Sequence, residues 1–131
     1  MELNWIAVIV AGASSLVLGA IWYAPPVFGK KWMALAGLTE EQTRSGSMPV
    51  IFGGAFALSV FAAAVFSMFL GPKPALAFAL GAGSSAGLFW VAGGLGINYL
   101  FERKPLGLFL INGGYFTVQF TLIGLFLSVL G

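Results

Sequence analysis

The 131 residues carry six Lys or Arg and four Asp or Glu, 8% charged against 60% hydrophobic, where an average soluble domain is about 25% charged. So apolar a composition (mean hydropathy +1.00) excludes a soluble enzyme and a disordered chain, and a net charge of +2 is too sparse for a nucleic-acid binder that must neutralise a run of phosphates. Without Cys or His there are no disulfides, thiol nucleophiles, haem ligands or common zinc and copper sites, so no cofactor or metal is expected.

The chain divides into four apolar runs, each near the roughly 20 residues that cross a bilayer as a helix. The first covers about 3–24 and stops at Pro25-Pro26, where a helix cannot continue. The second covers about 49–70, and Gly71-Pro72-Lys73-Pro74 closes it. The third covers about 75–101, long enough to tilt. The fourth, about 106–130, opens after Pro105. Barrel strands would alternate apolar and polar residues, and these runs are apolar all round. The fold class expected is an all-α membrane protein: one domain over 1–131, four transmembrane helices in an antiparallel bundle. The short connections make helices two and three, and three and four, neighbours.

The one long connection, 25–48, holds Lys30-Lys31-Trp32-Met33-Ala34-Leu35, cations beside apolar anchors, as in a short helix lying in the headgroup layer. Thr39-Glu40-Glu41-Gln42 has the spacing of a capping box. Lys30, Lys31, Arg44, Arg103 and Lys104 lie on one side of the four-span topology and only Lys73 on the other, so the positive-inside rule puts both termini outside. A start of Met1-Glu2 with no small-residue cleavage site argues against a removed signal peptide.

Small residues recur at every fourth position on three helices: Ala7, Ala11, Ser15, Gly19; Ala55, Ser59, Ala63, Ser67; Ala75, Ala79, Gly83, Gly87. Such ladders let backbones approach closely, and they are expected to meet inside the bundle. Trp5, Trp22, Tyr23, Trp32 and Tyr99 fall near the membrane interfaces.

Polar residues within the spans are the functional candidates. Asn98, five residues before Arg103, sits roughly 7 Å in from the surface, and Asn112, seven after Pro105, roughly 10 Å in on the next helix. The two amides are placed to hydrogen-bond. On an ideal helix Asn98 shares a face with Trp90, Gly94 and Glu102, and Asn112 shares one with Tyr115 and Gln119. Gln119, Ser59, Ser14 and Ser15 suggest a weakly polar layer at mid-depth. These groups read either as interhelical hydrogen bonds or as a pocket open to the cytoplasmic half. Glu102-Arg103-Lys104-Pro105 reads either as a turn, with Glu102 paired to Arg103, Lys104 or a base of the first loop, or as a site for an anionic headgroup. No span has an ionisable group near its centre, which argues against a midplane proton relay. No nucleotide loop or serine elbow appears, and the chain reads as no enzyme.

Asn4-Trp5, Trp22-Tyr23-x-Pro25-x-x-Phe28-Gly29-Lys30-x-Trp32 and Gly37-Leu38-Thr39-Glu40-Glu41 resemble the bacterial membrane family of domain of unknown function 1761, as does Asn98-Tyr99-Leu100-Phe101-Glu102-Arg103-Lys104-Pro105 running on to Asn112-x-Gly114-Tyr115. The chain departs from the family pattern at Ala24 and Pro26, where members more often have Ser and no second proline. The resemblance implies a small four-helix membrane protein and brings no activity.

The function expected is binding or transport of a lipid-like or small amphipathic molecule at the cytoplasmic half. Asn98, Asn112, Tyr115 and Gln119 would hydrogen-bond it, Trp22, Tyr23 and Trp32 would pack it, and Lys30, Arg103 and Lys104 would hold an anionic headgroup, with Glu102 restricting the fit. The partners are membrane lipids and a second copy of the chain, in a bacterial inner membrane. The rival reading is a structural or accessory subunit whose small-residue faces dock a larger complex.

Overall fold

A computed structural model describes residues 3–131. Asn4 caps α1 (Trp5–Trp22): its side-chain oxygen accepts from the Ala7 N–H, and its amide donates to the Leu130 carbonyl at the far end of the chain, 2.7 Å away. Ala24, held extended before proline, ends the helix, and one π turn, Pro25–Gly29, closes with the Gly29 N–H on the Ala24 carbonyl. Two short helices follow. α2 (Lys30–Ala36) stops at Gly37, whose φ of 73° suits a residue without a Cβ. α3 (Glu40–Arg44) starts with the capping box: the Thr39 hydroxyl accepts from the Gln42 N–H, and the Gln42 side chain accepts from the Thr39 N–H. After α4 (Met48–Leu70) come α5 (Leu76–Ser85), a π-helical segment (Ala86–Ala92) and α6 (Gly93–Glu102). A turn through Arg103, at φ 59°, leads into α7 (Leu106–Val129).

Four rods, α1, α4, the continuous 76–102 helix and α7, are long and apolar enough to cross a membrane. Their outward faces are apolar too. Phe61, Phe69, Phe89, Trp90, Leu100 and Phe101 are all more than 60% exposed, a surface that suits hydrocarbon and not water.

The small residues decide which rods meet. Gly83 and Gly87 lie on the α7 backbone, where any Cβ would run into the carbonyls of Phe120 and Phe116, and Gly124 lies reciprocally on the Ala79 carbonyl. The Ser84 and Thr121 hydroxyls, 2.8 Å apart, cross the same seam. α7 packs by another face on α1, and α1 packs on α4 through Gly12, which sits against Val60. Ala7, Ala11 and Ser15, Ser59 and Ala63, and Ala79, Gly83 and Gly87 are buried, so all three ladders meet other helices as expected.

One expectation fails. The second and third spans, although joined by a five-residue link, have no close backbone approach like those along α1 and α7. A short link constrains only the helix ends; the faces choose the partners. The small face of α4 fits α1 and the glycine face of α5 fits α7, so α4 and α6 diverge away from the link.

A methyl at the α5–α7 seam therefore has nowhere to go. Gly83→Ala and Gly124→Ala are each expected to lower stability by about 1–3 kcal/mol. Gly81→Ala, where a Cβ would meet open space, is expected to match or exceed the wild type, because Ala is the better helix former. Thermal unfolding in detergent, followed by circular dichroism, separates the two classes.

Candidate functional site

The π segment sets the face that α6 presents. On a straight helix continuing the Ala79–Gly83 face, about 100° per residue would bring Trp90, Gly94 and Asn98 inward. The π turn takes in an extra residue and rotates everything after it by about one position. Trp90, Gly94 and Asn98 are consequently exposed, whereas Ala92 is buried and Leu95 and Tyr99 are turned inward. This corrects the expected Asn98–Asn112 pair: Tyr99, not Asn98, reaches Asn112.

Asn112 is the hub of a three-residue bridge. The Tyr23 hydroxyl donates to its Oδ1 at 2.7 Å, and its Nδ2 donates to the Tyr99 hydroxyl at 2.9 Å. The bridge thus joins the end of α1, α7 and α6. One turn deeper, the Tyr115 hydroxyl donates to the Ser15 carbonyl at 2.9 Å, its ring lying over Gly19 and 5.5 Å from the Tyr23 ring. Trp32 of α2 meets the other edge of Tyr23, with ring centroids 5.6 Å apart.

These groups border an open-sided cavity of about 660 Å³. Its floor is Ser15, Gly19, Asn112 and Tyr115; Ile51, Phe52 and Ala55 of α4 form one wall, and Leu95 and Tyr99 of α6 the other. It occupies the gap left where α4 and α6 part. Among the described residues, no charged side chain lines it. An amide offers two donors and two acceptors, so Asn112 retains one of each after its two bonds. The Tyr99 hydroxyl, an acceptor in the bridge, still has its own hydrogen to give, with no acceptor for it among the described residues. The cavity therefore presents apolar walls and a small, uncharged set of hydrogen-bonding groups at one end.

The other expected site residues lie elsewhere. Trp22 is structural: its Nε1 donates to the Ile111 carbonyl at 2.9 Å, and its ring packs on Phe28. Lys30, Glu102 and Arg103 are exposed and do not line the cavity. Lys104 borders a different groove. Glu102 has no ion-pair partner; among the described residues the one ion pair is Arg44–Glu40, at 3.6 Å. Gln119 is buried beneath the cavity floor, where Nε2 donates weakly to Ser59 Oγ over 3.4 Å and Oε1 has no partner among the described residues. It sits one turn below Tyr115, where α1, α4 and α7 have closed together. Tyr99, Ala55 and Leu95 escape a sequence reading. Tyr99 is visible there only as an interface aromatic, and the π segment that turns it inward has no marker in the sequence.

A family model described as a protein of unknown function, DUF1761, matches residues 6–128. The chain belongs to that family. No curated protein and no solved structure matches it. In this DUF1761 chain, the two segments that carry the family resemblance, 22–41 and 98–115, come together around the cavity and supply Tyr23, Trp32, Tyr99, Asn112 and Tyr115 to it.

The bridge makes the two asparagines unequal. Asn112→Ala, which removes two interhelical hydrogen bonds at about 0.6 kcal/mol on average and up to about 1.7 each, is expected to cost about 1–2 kcal/mol in reversible detergent unfolding. Asn98→Ala should stay within about 0.5 kcal/mol of the wild type.

Proposed function

We propose that this DUF1761 protein is an integral protein of the bacterial inner membrane, an antiparallel four-helix bundle that binds or transports a small, largely apolar molecule with one uncharged hydrogen-bonding end. α2, which begins with Lys30 and Lys31, lies in the headgroup layer, and the cavity opens in the cytoplasmic half. The cavity itself carries the reading. At about 660 Å³ it falls within the 300–1,000 Å³ usual for small-molecule sites, and its apolar walls and few convergent polar groups are those of such a site. Asn112 and the Tyr99 and Tyr115 hydroxyls hold the polar end, while Trp32, Phe52, Leu95 and Phe116 pack the remainder. Lys30, Arg103 and Lys104 do not line the cavity, and its uncharged lining suits a neutral ligand.

The accessory-subunit alternative needs a small-residue face left for a partner. The three ladders are instead taken up within the bundle almost throughout, only Ala55 and Ala75 being exposed, and binding is the better supported reading. Self-association belongs to the same proposal, because α4 is a flank helix whose Gly53 and Gly54 have open space beyond them, room for a second copy to approach.

Two measurements test this. Organic extracts of purified wild type and of Ala55→Trp, which places an indole in the cavity, are compared by mass spectrometry. A small neutral molecule enriched with the wild type and lost from the variant supports the site; identical extracts overturn it. A phosphatase reporter fused after Gly131 is expected to be active, with the C-terminus periplasmic, and an inactive fusion beside a fluorescent cytoplasmic one would reverse the topology.

A further inference from the structure

On the other side of Tyr99 lies a second groove, of about 380 Å³, between α6 and α7. Its lining is almost wholly apolar, with Ile97, Leu100 and Phe109 among the walls. Gly93 and Gly96 keep it open by having no side chains: a Cβ on Gly96 would come within 2.9 Å of the Phe109 ring, and one on Gly93 would meet only the Leu88 carbonyl, at 3.8 Å. Among the described residues one charged group borders it, Lys104, at the end where the span meets the turn. Lys104 is exposed and has no acidic partner, Glu102 included, among the described residues.

We infer that this groove is a binding site for one anionic phospholipid, with an acyl chain laid along Gly93, Gly96 and Phe109 and the phosphate on Lys104. The charge selects the occupant. An ammonium at the end of a membrane span stands at headgroup depth and attracts an anionic phosphate, while the notch below it accepts a chain that no polar group in the groove would bind. Arg103, next to Lys104 in the chain, does not line the groove, so Lys104 is the discriminating contact. The site depends on the chain's placement in a membrane and is independent of whether the central cavity holds a ligand.

The test is native mass spectrometry of the full chain ejected from nanodiscs of equal phosphatidylglycerol and phosphatidylcholine. The wild type is expected to retain phosphatidylglycerol about fivefold over phosphatidylcholine, the preference one basic residue gives near a charged surface. Lys104→Gln should bring the ratio close to one, Lys104→Arg should keep it, and Lys31→Gln, a surface cation outside the groove, should leave it unchanged. Gly93→Leu should reduce retention of both lipids by filling the notch. Ala55→Trp should not alter the ratio, which separates this site from the cavity. Wild type retaining the two lipids equally, or Lys31→Gln and Lys104→Gln losing preference alike, overturns the proposal, and the wild-type competition decides it even if a variant does not fold.

Discussion

Close contact between the glycine face of α5 and the backbone of α7 is the constraint from which the rest of the arrangement follows. Between helices in hydrocarbon there is no hydrophobic drive, and association rests on dispersion and on hydrogen bonds across the seam. Dispersion is strong only at short range, so the contact forms where Gly83, Gly87 and Gly124 remove the side chains that would hold the backbones apart. With α7 seated there, its other face takes α1, and α1 in turn takes α4. This leaves α4 on the far flank from α6. The cavity is the space between two helices that never acquired a shared face.

The π segment then decides what that space contains. A helix that takes in one additional residue changes the face shown by everything beyond it, without breaking its own hydrogen bonding, which in a membrane-crossing rod must be kept complete. Here the change places Leu95 and Tyr99 at the cavity and turns Trp90 and Asn98 out. Tyr99 then closes the bridge through Asn112 to Tyr23, tying α6 and α7 to the end of α1 at the depth where α4 gives no support. The bridge serves both as a structural tie and as the polar end of the cavity.

The charged and uncharged chemistry of the protein is divided by a single aromatic ring. Tyr99 borders the uncharged cavity on one side and the groove with Lys104 on the other. Asn112, Tyr23 and Lys104, which fall at the same end of the spans, thus belong to two environments. One, between helices, is the site proposed for a neutral molecule; the other, on the outer surface, is the site proposed for an anionic lipid.

The sequence by itself determined the all-helical class, the four helices apolar enough to cross a membrane, the capping box at Thr39 and the small-residue faces, because these follow from local composition and from periodicities that a helix imposes wherever it sits. It also pointed to Tyr23, Trp32, Asn112 and Tyr115. Only the tertiary structure decided that the second and third spans part, that Asn98 faces outward, that Gln119 lies below the cavity, and that Lys104 stands apart from Asn112. Each of these turns on helix phase or on the choice of packing partner. Helix phase changed at 86–92 without any residue type to announce it, and partner choice came from backbone fit between segments far apart in the chain. A count of residues along one helix registers neither.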